Sequence, residues 1–206
     1  MSKILDKGGV FDGAPNSEPF VLELGCGDRK RIPNSIGIDA LDYAGVDLVG
    51  DVFEVLRKFP SGSVGEVYAY HFIEHLSDIT LLLAELARVV RLGGTLEFVT
   101  PHFSNPYFYS DPTHRTPFGL YTFCYLAAGS PFSRQVPTYQ ADFLFRIERV
   151  DLVFKSARPF YGRYAFKWAI GRIFNSCNYM REWYEENLCY LFPCYEICYR
   201  LRRVPT

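Results

Sequence analysis

The segment from Phe20 to Asp28 constrains the fold more than any other part of this 206-residue chain. It is a short apolar run that ends in Gly25-Cys26-Gly27, a pattern typical of a buried strand followed by a tight turn. Two glycines one residue apart allow the backbone to approach another group closely. Because ligands in open α/β sheets bind beyond the carboxyl ends of the strands, this turn predicts a ligand site.

The composition of the chain predicts one cytoplasmic domain. The residues are 49% hydrophobic and 17% aromatic, which is enough for a sizeable core. A net charge of −1 argues against binding to nucleic acid. The first residues lack the apolar centre of a signal peptide, and no apolar run is long enough to predict a membrane span. The six cysteines have no disulfide-like spacing, which favours reduced thiols and a cytoplasmic location.

The first half of the chain predicts a parallel sheet. Short apolar runs predict strands at 20–24, 35–39, 46–49, 66–70 and 95–99. Apolar residues at the helical period predict helices at 52–58 and 78–91. We expect Ser77 to cap the second helix, with Leu76 packing on Leu81. The gap between the first two strands is too short for a full crossover helix.

The second half is less regular. Residues 101–140 are rich in proline and aromatic residues, and predict a long functional loop or lid with a short helix at 118–128. Beyond this loop we expect a strand at 144–154 and two helices within 160–191. Residues 195–203 alternate between apolar and polar, which predicts a last, antiparallel strand at or near the sheet edge.

Three carboxylates fall at or near successive strand ends, namely Glu23, Asp39 and Asp51. A carboxylate at the end of the second strand is well placed to accept hydrogen bonds from both hydroxyls of a ribose. An acid after the third strand can accept from the exocyclic amine of adenine, with the backbone N–H groups of Val52 and Phe53 beside it. Lys30 stands where a dinucleotide fingerprint has its third glycine, so a pyrophosphate is disfavoured.

In combination these motifs resemble the class I S-adenosylmethionine-dependent methyltransferases. The resemblance covers about residues 20–100. The matching segments are Val21–Gly27, Gly37–Asp39, Gly50–Val52, Ala69–Leu76 and Arg88–Leu96. The short first crossover and the segment Asp111-Pro-Thr-His114 also resemble a subgroup of small bacterial and archaeal proteins predicted to be methyltransferases.

The resemblance implies a Rossmann-like, doubly wound α/β fold with a mostly parallel sheet, an antiparallel last strand and a long aromatic insertion after the fifth strand. It implies one domain over residues 1–206, in which 20–100 bind the cofactor, 101–140 form the substrate loop and 141–206 supply the last strands and helices. It also implies S-adenosylmethionine as cofactor and S-adenosylhomocysteine as product. The implied cofactor-binding residues are Glu23, Gly25, Cys26, Gly27, Asp39, Ala40, Asp51, Val52, Phe53 and His71. Arg29 or Lys30 would contact the methionine carboxylate.

We expect methyl transfer to a small-molecule or saccharide-like acceptor, with oxygen as the methylated atom. A general base assists transfer to a hydroxyl, and histidine is the natural base at neutral pH. The candidate catalytic residues are His114 or His102 as base, Asp111 as an orienting or substrate-binding group, and His71 beneath the sulfonium. Structural roles stay open for these residues, and His75 is expected to be structural. Glu23 could instead tie the loop backbone.

Three other hypotheses stay open. The chain could be a non-catalytic module that binds S-adenosylmethionine or S-adenosylhomocysteine, or a partner subunit. A nicotinamide-dependent enzyme is disfavoured by the missing third glycine. His71-Phe-Ile-Glu-His75 matches the motif of inverted zinc peptidases, which requires a helix where we predict a strand end. We therefore expect no resident metal, with a divalent ion at Asp111, His114 or His102 as the alternative.

From Lys155 to the end the chain holds nine Lys or Arg residues and four Asp or Glu residues, a surplus of about five positive charges. Such a basic, aromatic segment can lie on an anionic membrane surface, which would make a lipid-linked glycan a plausible acceptor. The alternative is a helix packed on the sheet with its Lys and Arg side chains extended to solvent. The sequence leaves the oligomeric state open.

Overall fold

The computed structural model describes residues 4–12, 18–137, 144–156 and 159–205. Eight strands form one sheet: β1 Leu5–Asp6, β2 Phe20–Leu24, β3 Ile36–Asp39, β4 Leu48–Val49, β5 Val64–Tyr70, β6 Val90–Pro101, β7 Phe145–Val153 and β8 Glu196–Arg203. The α-helices are α1 Val52–Leu56, α2 Ile79–Val89, α3 Tyr161–Phe174 and α4 Asn178–Asn187. Short 3₁₀ turns lie at Ile73–His75, Pro106–Ser110 and Thr122–Tyr125.

The strand order is β1-β4-β3-β2-β5-β6-β8-β7. Strands β4, β3, β2, β5 and β6 are parallel, whereas β8 runs antiparallel to both β6 and β7. This arrangement confirms the predicted fold class, a mostly parallel α/β sheet with an antiparallel last strand. Strand β8 lies one position inside the edge, because β7 pairs with its outer side.

The N-terminal segment contributes a strand that we did not predict. Leu5 and Asp6 pair antiparallel with Val49 and Leu48 of β4. A two-residue strand carries no periodicity, so only the pairing itself reveals it. Residues 1–3 and 13–17 lie outside the described residues.

Helix α2 packs the face that its periodicity predicts, since Ile79, Leu82 and Leu86 are buried in the core. Its cap differs from the prediction. Asp78, not Ser77, caps the helix by accepting hydrogen bonds from the N–H groups of Thr80 and Leu81. The proposed contact between Leu76 and Leu81 is also wrong, because Leu81 is 58% exposed. Asp is a strong capping residue, and its position moves the helix start by one residue.

The insertion after β6 packs as part of the core. Phe123 is fully buried, stacks on Phe98 of β6 and meets the ring of Tyr199 of β8 edge-on. The Tyr199 hydroxyl donates a hydrogen bond to the Gly119 carbonyl over 2.6 Å. The helix predicted at 118–128 is a four-residue 3₁₀ turn, and residues 138–140 of the predicted loop lie outside the described part of the chain. The described insertion is therefore a packed layer on the sheet.

The C-terminal helices follow the outer strand β7. Asn175, at the end of α3, accepts a hydrogen bond from the Leu152 N–H over 2.9 Å and donates one to the Leu152 carbonyl over 2.7 Å. These bonds satisfy backbone groups of an edge strand, which otherwise invite pairing with another chain. Ile170 and Phe174 anchor α3, and most of its other side chains are exposed. Among the described helices, none is long and apolar enough to cross a membrane.

Substitution Phe123→Ala should lower the free energy of unfolding by about 3–5 kcal/mol, because it leaves a cavity among Phe98, Phe118 and Tyr199. Urea denaturation would measure this loss. The matched control is Phe166→Ala on α3, where a side chain that is 53% exposed should change stability by less than about 0.5 kcal/mol. Equal effects of the two substitutions would contradict the packing of the insertion.

Candidate functional site

The glycine turn after β2 has the strained geometry that its sequence requires. Gly25 has a φ of +63° and Gly27 a φ of +60°, in the left-handed region that favours glycine. A Cβ atom at Gly25 would lie 2.6 Å from the Phe72 ring, so no side chain fits there. A Cβ atom at Gly27 would meet no atom within 4 Å. The turn therefore packs tightly at Gly25 and opens to free space at Gly27.

Asp39 joins this turn to the end of β3. Its Oδ2 accepts a hydrogen bond from the Gly27 N–H over 2.9 Å, and its Oδ1 accepts one from the Leu41 N–H over 2.9 Å. A carboxylate has about four acceptor sites, so both oxygens can still accept bonds from hydroxyl groups. Ala40 is exposed beside it. Asp39 thus fixes the turn and presents acceptors beside it.

Asp51 follows β4 and caps helix α1. Its Oδ1 accepts hydrogen bonds from the N–H groups of Phe53 and Glu54, over 3.0 and 3.2 Å. The Phe53 amide therefore belongs to the cap, which argues against the adenine contact that we predicted for it. The amide of Val52 is the first of the helix, where no intrahelical acceptor exists. Asp51 Oδ2 and the Val52 amide are the groups suited to meet a base edge.

Glu23 lies behind the turn and is buried. Its carboxylate accepts hydrogen bonds from the N–H groups of Arg31 and Ile32, over 2.9 and 3.0 Å, and from the Ser35 hydroxyl over 3.3 Å. These bonds satisfy the backbone of the helix-free crossover to β3. Glu23 therefore shapes the turn by holding the loop backbone, which was the structural alternative for this residue.

Lys30 and Cys26 also point into the protein. Lys30 Nζ forms an ion pair with Asp47 Oδ2 over 2.7 Å, so Arg29, which is exposed, is the remaining candidate for a free carboxylate. The Cys26 thiol packs against Gly37, where a Cβ atom would come within 2.7 Å of the sulfur. Burial, followed by the negative charge of Asp39, raises the pKa of Cys26 to about 12. Cys26 stays a thiol and contributes backbone to the site.

His71 ends β5 in an unusual conformation, with a φ of +55°. Its Nε2 lies 2.9 Å from Glu196 Oε1, and Glu196 also pairs with Lys155. The hydrogen bond to Glu196, followed by the contact with Glu74, raises the pKa of His71 to about 9. His71 is therefore protonated at neutral pH, which makes it a positive charge at the site and not a general base.

His102 does not fit the predicted role of general base. The side chain is fully buried, with Nδ1 2.8 Å from the Ser104 hydroxyl and Nε2 3.1 Å from Glu185 Oε2. Glu185 also accepts a hydrogen bond from the Leu120 N–H over 2.7 Å. Both ring nitrogens are thus engaged in holding the insertion on α4. His102 is a structural residue.

His114, Asp111 and His75 come together at the carboxyl edge. His114 Nδ1 lies 2.9 Å from the Phe108 carbonyl oxygen, and its Nε2 lies 3.7 Å from Asp111 Oδ2. The rings of His114 and His75 have centroids 4.9 Å apart. Hydrogen bonds from the Thr113 side chain and backbone lower the pKa of Asp111. His114 and Asp111 are the two predicted catalytic residues that stand at this edge with open polar atoms.

The comparisons with known proteins agree with this geometry. Residues 33–98 match the model of the methyltransferase domain family. A SAM-dependent methyltransferase from Archaeoglobus fulgidus superposes with a TM-score of 0.56 at 18% identity, over 92% of this chain and 88% of that chain. The chain is therefore similar to methyltransferases in sequence over residues 33–98, and it shares the fold of the Archaeoglobus fulgidus enzyme over most of its length.

Two further solved structures share this fold. A Bacillus halodurans protein provisionally assigned as a methyltransferase has a TM-score of 0.53 at 15% identity, over 94% of this chain and 95% of that chain. Phosphoethanolamine N-methyltransferase 2 of Haemonchus contortus has a TM-score of 0.52 at 13% identity, over 94% of this chain but 50% of that chain. That enzyme was solved with phosphomonomethylethanolamine and S-adenosylhomocysteine. None of the curated proteins compared with this chain matches it significantly.

The open side of the glycine turn fits the cofactor of a methyltransferase. The space at Gly27 would be filled by a side chain, and two carboxylates, Asp39 and Asp51, flank it at neighbouring strand ends. A pyrophosphate would meet these acids without a helix N-terminus to offset their charge. The residues present therefore suit S-adenosylmethionine, a nucleoside without phosphate.

The protein also has an aromatic cavity of about 580 Å³ in the insertion. Phe103, Tyr109 and Tyr121 of the predicted loop line it, together with Tyr125 and Glu185. Phe118 of the same loop is fully buried in the core, and Tyr107 is 69% exposed. The cavity size is typical of small-molecule sites.

Sequence reasoning missed three acids of this region. Glu74 and Glu196 flank His71, and Glu185 holds His102. Glu196 begins a strand whose alternation predicts a solvent-facing side chain, yet it is buried against His71 and Lys155. The one available sequence signal for these acids was the pair Glu74-His75 directly after β5. The role of this pair depends on which distant residues pack against it.

Proposed function

We propose that this methyltransferase transfers a methyl group to a hydroxyl oxygen of a small, saccharide-like acceptor. S-adenosylmethionine supplies the methyl group on a sulfonium that is already activated, so alignment of the two reactants is the main task of the protein. The observation that carries the proposal is the open polar pair His114 and Asp111, which stands at the same sheet edge as the nucleoside acids. A hydroxyl acceptor needs a base, and this pair is suited to be one.

We assign the cofactor contacts from the strand ends. Asp39 would accept hydrogen bonds from the ribose hydroxyls, and Asp51 with the Val52 amide would meet the adenine. Gly25 and Gly27 would shape the methionine end, where the exposed Arg29 would pair with the carboxylate. His71 would lie near the sulfonium. Protonated His71 would repel the positive charge of the sulfonium. The carboxylates of Glu196 and Glu74, which contact His71, would offset this repulsion.

His114 is our candidate for the group that takes the acceptor proton. Its Nδ1 faces the Phe108 carbonyl, which can only accept a hydrogen bond, so Nδ1 carries the hydrogen and Nε2 keeps a lone pair. Asp111, 3.7 Å from Nε2, would stabilise the imidazolium after proton transfer. The fixed tautomer leaves His114 ready to act as a base.

The aromatic cavity is our candidate acceptor site. Its rings offer apolar faces, while Glu185 and the tyrosine and threonine hydroxyls offer hydrogen bonds. This mixture suits a compact molecule with several hydroxyl groups. A saccharide-like compound meets that description.

A non-catalytic cofactor-binding module, or a partner subunit, is the second candidate. It is favoured by the loss of one of the two predicted bases, since His102 is buried with both ring nitrogens engaged. Such a module would bind S-adenosylmethionine without turnover. The turnover measurement below separates the two candidates.

Substitution Asp39→Ala should weaken binding of S-adenosylmethionine by about 5- to 150-fold, which corresponds to about 1–3 kcal/mol for unpaired hydrogen-bonding groups. Isothermal titration calorimetry would measure the dissociation constant. Asp42→Ala is the matched control, because Asp42 is exposed and pairs with Lys7. Unchanged affinity in Asp39→Ala would mean that the ribose lies elsewhere, and absent binding by the folded wild-type protein would refute the cofactor assignment.

Substitution His114→Ala should reduce turnover by about 100- to 10,000-fold, the usual contribution of a general base, while cofactor affinity stays the same. Release of S-adenosylhomocysteine would be measured with a panel of sugars, polyols and phenols. His102→Gln serves as a structural comparison and should lower thermal stability. Full activity of His114→Ala would exclude His114 as base, and no turnover with any acceptor would favour the non-catalytic module.

We also propose that α3 contacts an anionic membrane surface. Between Lys155 and Arg181 the chain has six Lys or Arg residues and no Asp or Glu. Phe160, Tyr161, Tyr164, Phe166 and Trp168 are each more than half exposed on this helix. The alternative of a helix packed on the sheet accounts for Ile170 and Phe174, which are buried, but not for these aromatic residues. Aromatic and basic side chains together are typical of helices at a membrane surface.

The positive charge of the α3 surface favours an anionic membrane over another apolar partner. Arg163 stacks on Phe160 and Arg172 on Trp168, so cations and rings share one surface. Anionic headgroups complement this charge, whereas a second copy of α3 would repel it. Peripheral attachment would bring the enzyme close to lipid-linked glycan acceptors.

The double substitution Arg163→Gln and Lys167→Gln should weaken binding to phosphatidylserine vesicles by roughly 30-fold, because each basic side chain near the surface contributes about 1 kcal/mol to the binding free energy. Vesicle co-sedimentation would measure this. Arg57→Gln with Lys58→Gln is the control, because both residues are exposed at the end of α1. No binding of the wild-type protein to anionic vesicles, or a concentration-dependent dimer that α3 substitutions dissociate, would overturn the proposal.

A further inference from the structure

Glu74 is a buried carboxylate with an incomplete set of partners. The residue is fully buried in the 3₁₀ turn after β5. Its Oε2 accepts a hydrogen bond from the Thr100 hydroxyl over 3.0 Å. Among the described residues, Oε1 has no hydrogen-bond partner, and its nearest cation is His71 Nδ1 at 3.5 Å. A buried carboxylate oxygen whose one charged neighbour lies at 3.5 Å keeps a lone pair that a further ligand could use.

His75 stands next to Glu74 with its ring nitrogens in a defined state. Its Nδ1 lies 2.9 Å from the Thr113 hydroxyl, which itself donates to Asp111 Oδ1 over 2.6 Å. Because the hydroxyl hydrogen is used by Asp111, the Thr113 oxygen must accept from Nδ1–H. Nε2 of His75 therefore keeps its lone pair.

His114 has the same tautomer for a different reason. Its Nδ1–H donates to the Phe108 carbonyl over 2.9 Å, which leaves Nε2 as the free nitrogen. The loop that carries His114 is held against the 3₁₀ turn, since the N–H groups of Arg115 and Thr116 donate to the Glu74 carbonyl over 2.8 and 3.3 Å. Two imidazoles with defined Nδ1 contacts are thus held beside one carboxylate.

We propose that Glu74, His75 and His114 bind a divalent transition-metal cation. One ligand atom from each of the three side chains lies within 4.8 Å of the other two. Two histidines and one carboxylate form a ligand set that leaves positions open for other molecules. Hydrogen bonds from Nδ1 to a carbonyl and to a Thr–Asp pair are the outer contacts that orient metal-binding histidines.

The ligand types select the cation. Imidazole nitrogen suits zinc, cobalt, iron or nickel, whereas magnesium and calcium prefer oxygen. The site differs from both of our earlier expectations. We predicted no resident metal, and the alternative ion site included His102, whose two ring nitrogens are engaged with Ser104 and Glu185.

A bound cation would change the role of His114. Its Nε2 cannot ligate a cation and accept a proton at the same time. With the site filled, an acceptor hydroxyl on the cation would have a lower pKa and would release its proton to water. This catalytic use rests on the proposed function, whereas cation binding itself does not.

Cobalt(II) titration of the full chain, stripped of metal with a chelator, tests the site through visible absorption and calorimetry. We expect one equivalent to bind, and His75→Gln or Glu74→Gln to abolish binding in protein that unfolds at the wild-type temperature. Thr113→Val should weaken binding by about 10- to 100-fold, because it removes the contact that orients His75. Thr113→Val leaves all three ligands in place, so its effect separates an oriented site from loose surface binding.

Cys177→Ser is the matched control, since Cys177 is an exposed thiol that could bind cobalt by itself. It should leave the stoichiometry at one. Binding that survives His75→Gln, or no binding to the folded wild-type protein, would overturn the proposal. S-adenosylmethionine binding is measured in the same metal-free samples. Cofactor binding without cobalt binding would overturn the metal site and leave the proposed function standing. Cobalt binding without cofactor binding would support the metal site and overturn the proposed function.

Discussion

The buried carboxylate of Glu23 is the constraint on which the cofactor side of this protein depends. The crossover from β2 to β3 forms no helix, so its backbone N–H groups need other acceptors. Glu23 supplies them for Arg31 and Ile32. Asp47 completes the arrangement by accepting from the Gly37 N–H and pairing with Lys30. Two acids thus replace a helix, and they leave the glycine turn open on its outer side.

A second set of charges joins the two halves of the chain. His71 ends β5 and bonds Glu196 of β8, 125 residues further along the sequence. Lys155 pairs with the same carboxylate. Burying such groups is favourable only when each charge has a partner, so β8 must sit beside β6 for His71 to keep its conformation. The carboxyl edge is therefore built by the parallel strands and by the antiparallel strand together.

Much of the fold was predictable because it depends on local patterns. Helix α2 follows from its apolar period, and the ends of β2, β3 and β5 follow from where apolar runs meet Gly, Asp and His. The proposed cofactor residues Asp39 and Asp51 were identified from those strand ends alone. The incorrect predictions concern groups whose partners are not set by a local pattern. Asp78 caps α2 in place of Ser77, the Phe53 amide donates to Asp51, and the aromatic loop packs in the core.

The sequence by itself determined the parallel strands of the first half and the acids at their ends, since both are properties of short segments. Only the tertiary structure decided what the four histidines do. It buried His102 between Ser104 and Glu185, protonated His71 through Glu196 and Glu74, and brought His114 next to His75. The physical reason is that the charge and tautomer of an imidazole depend on its neighbours in space, and those neighbours come from distant parts of the chain.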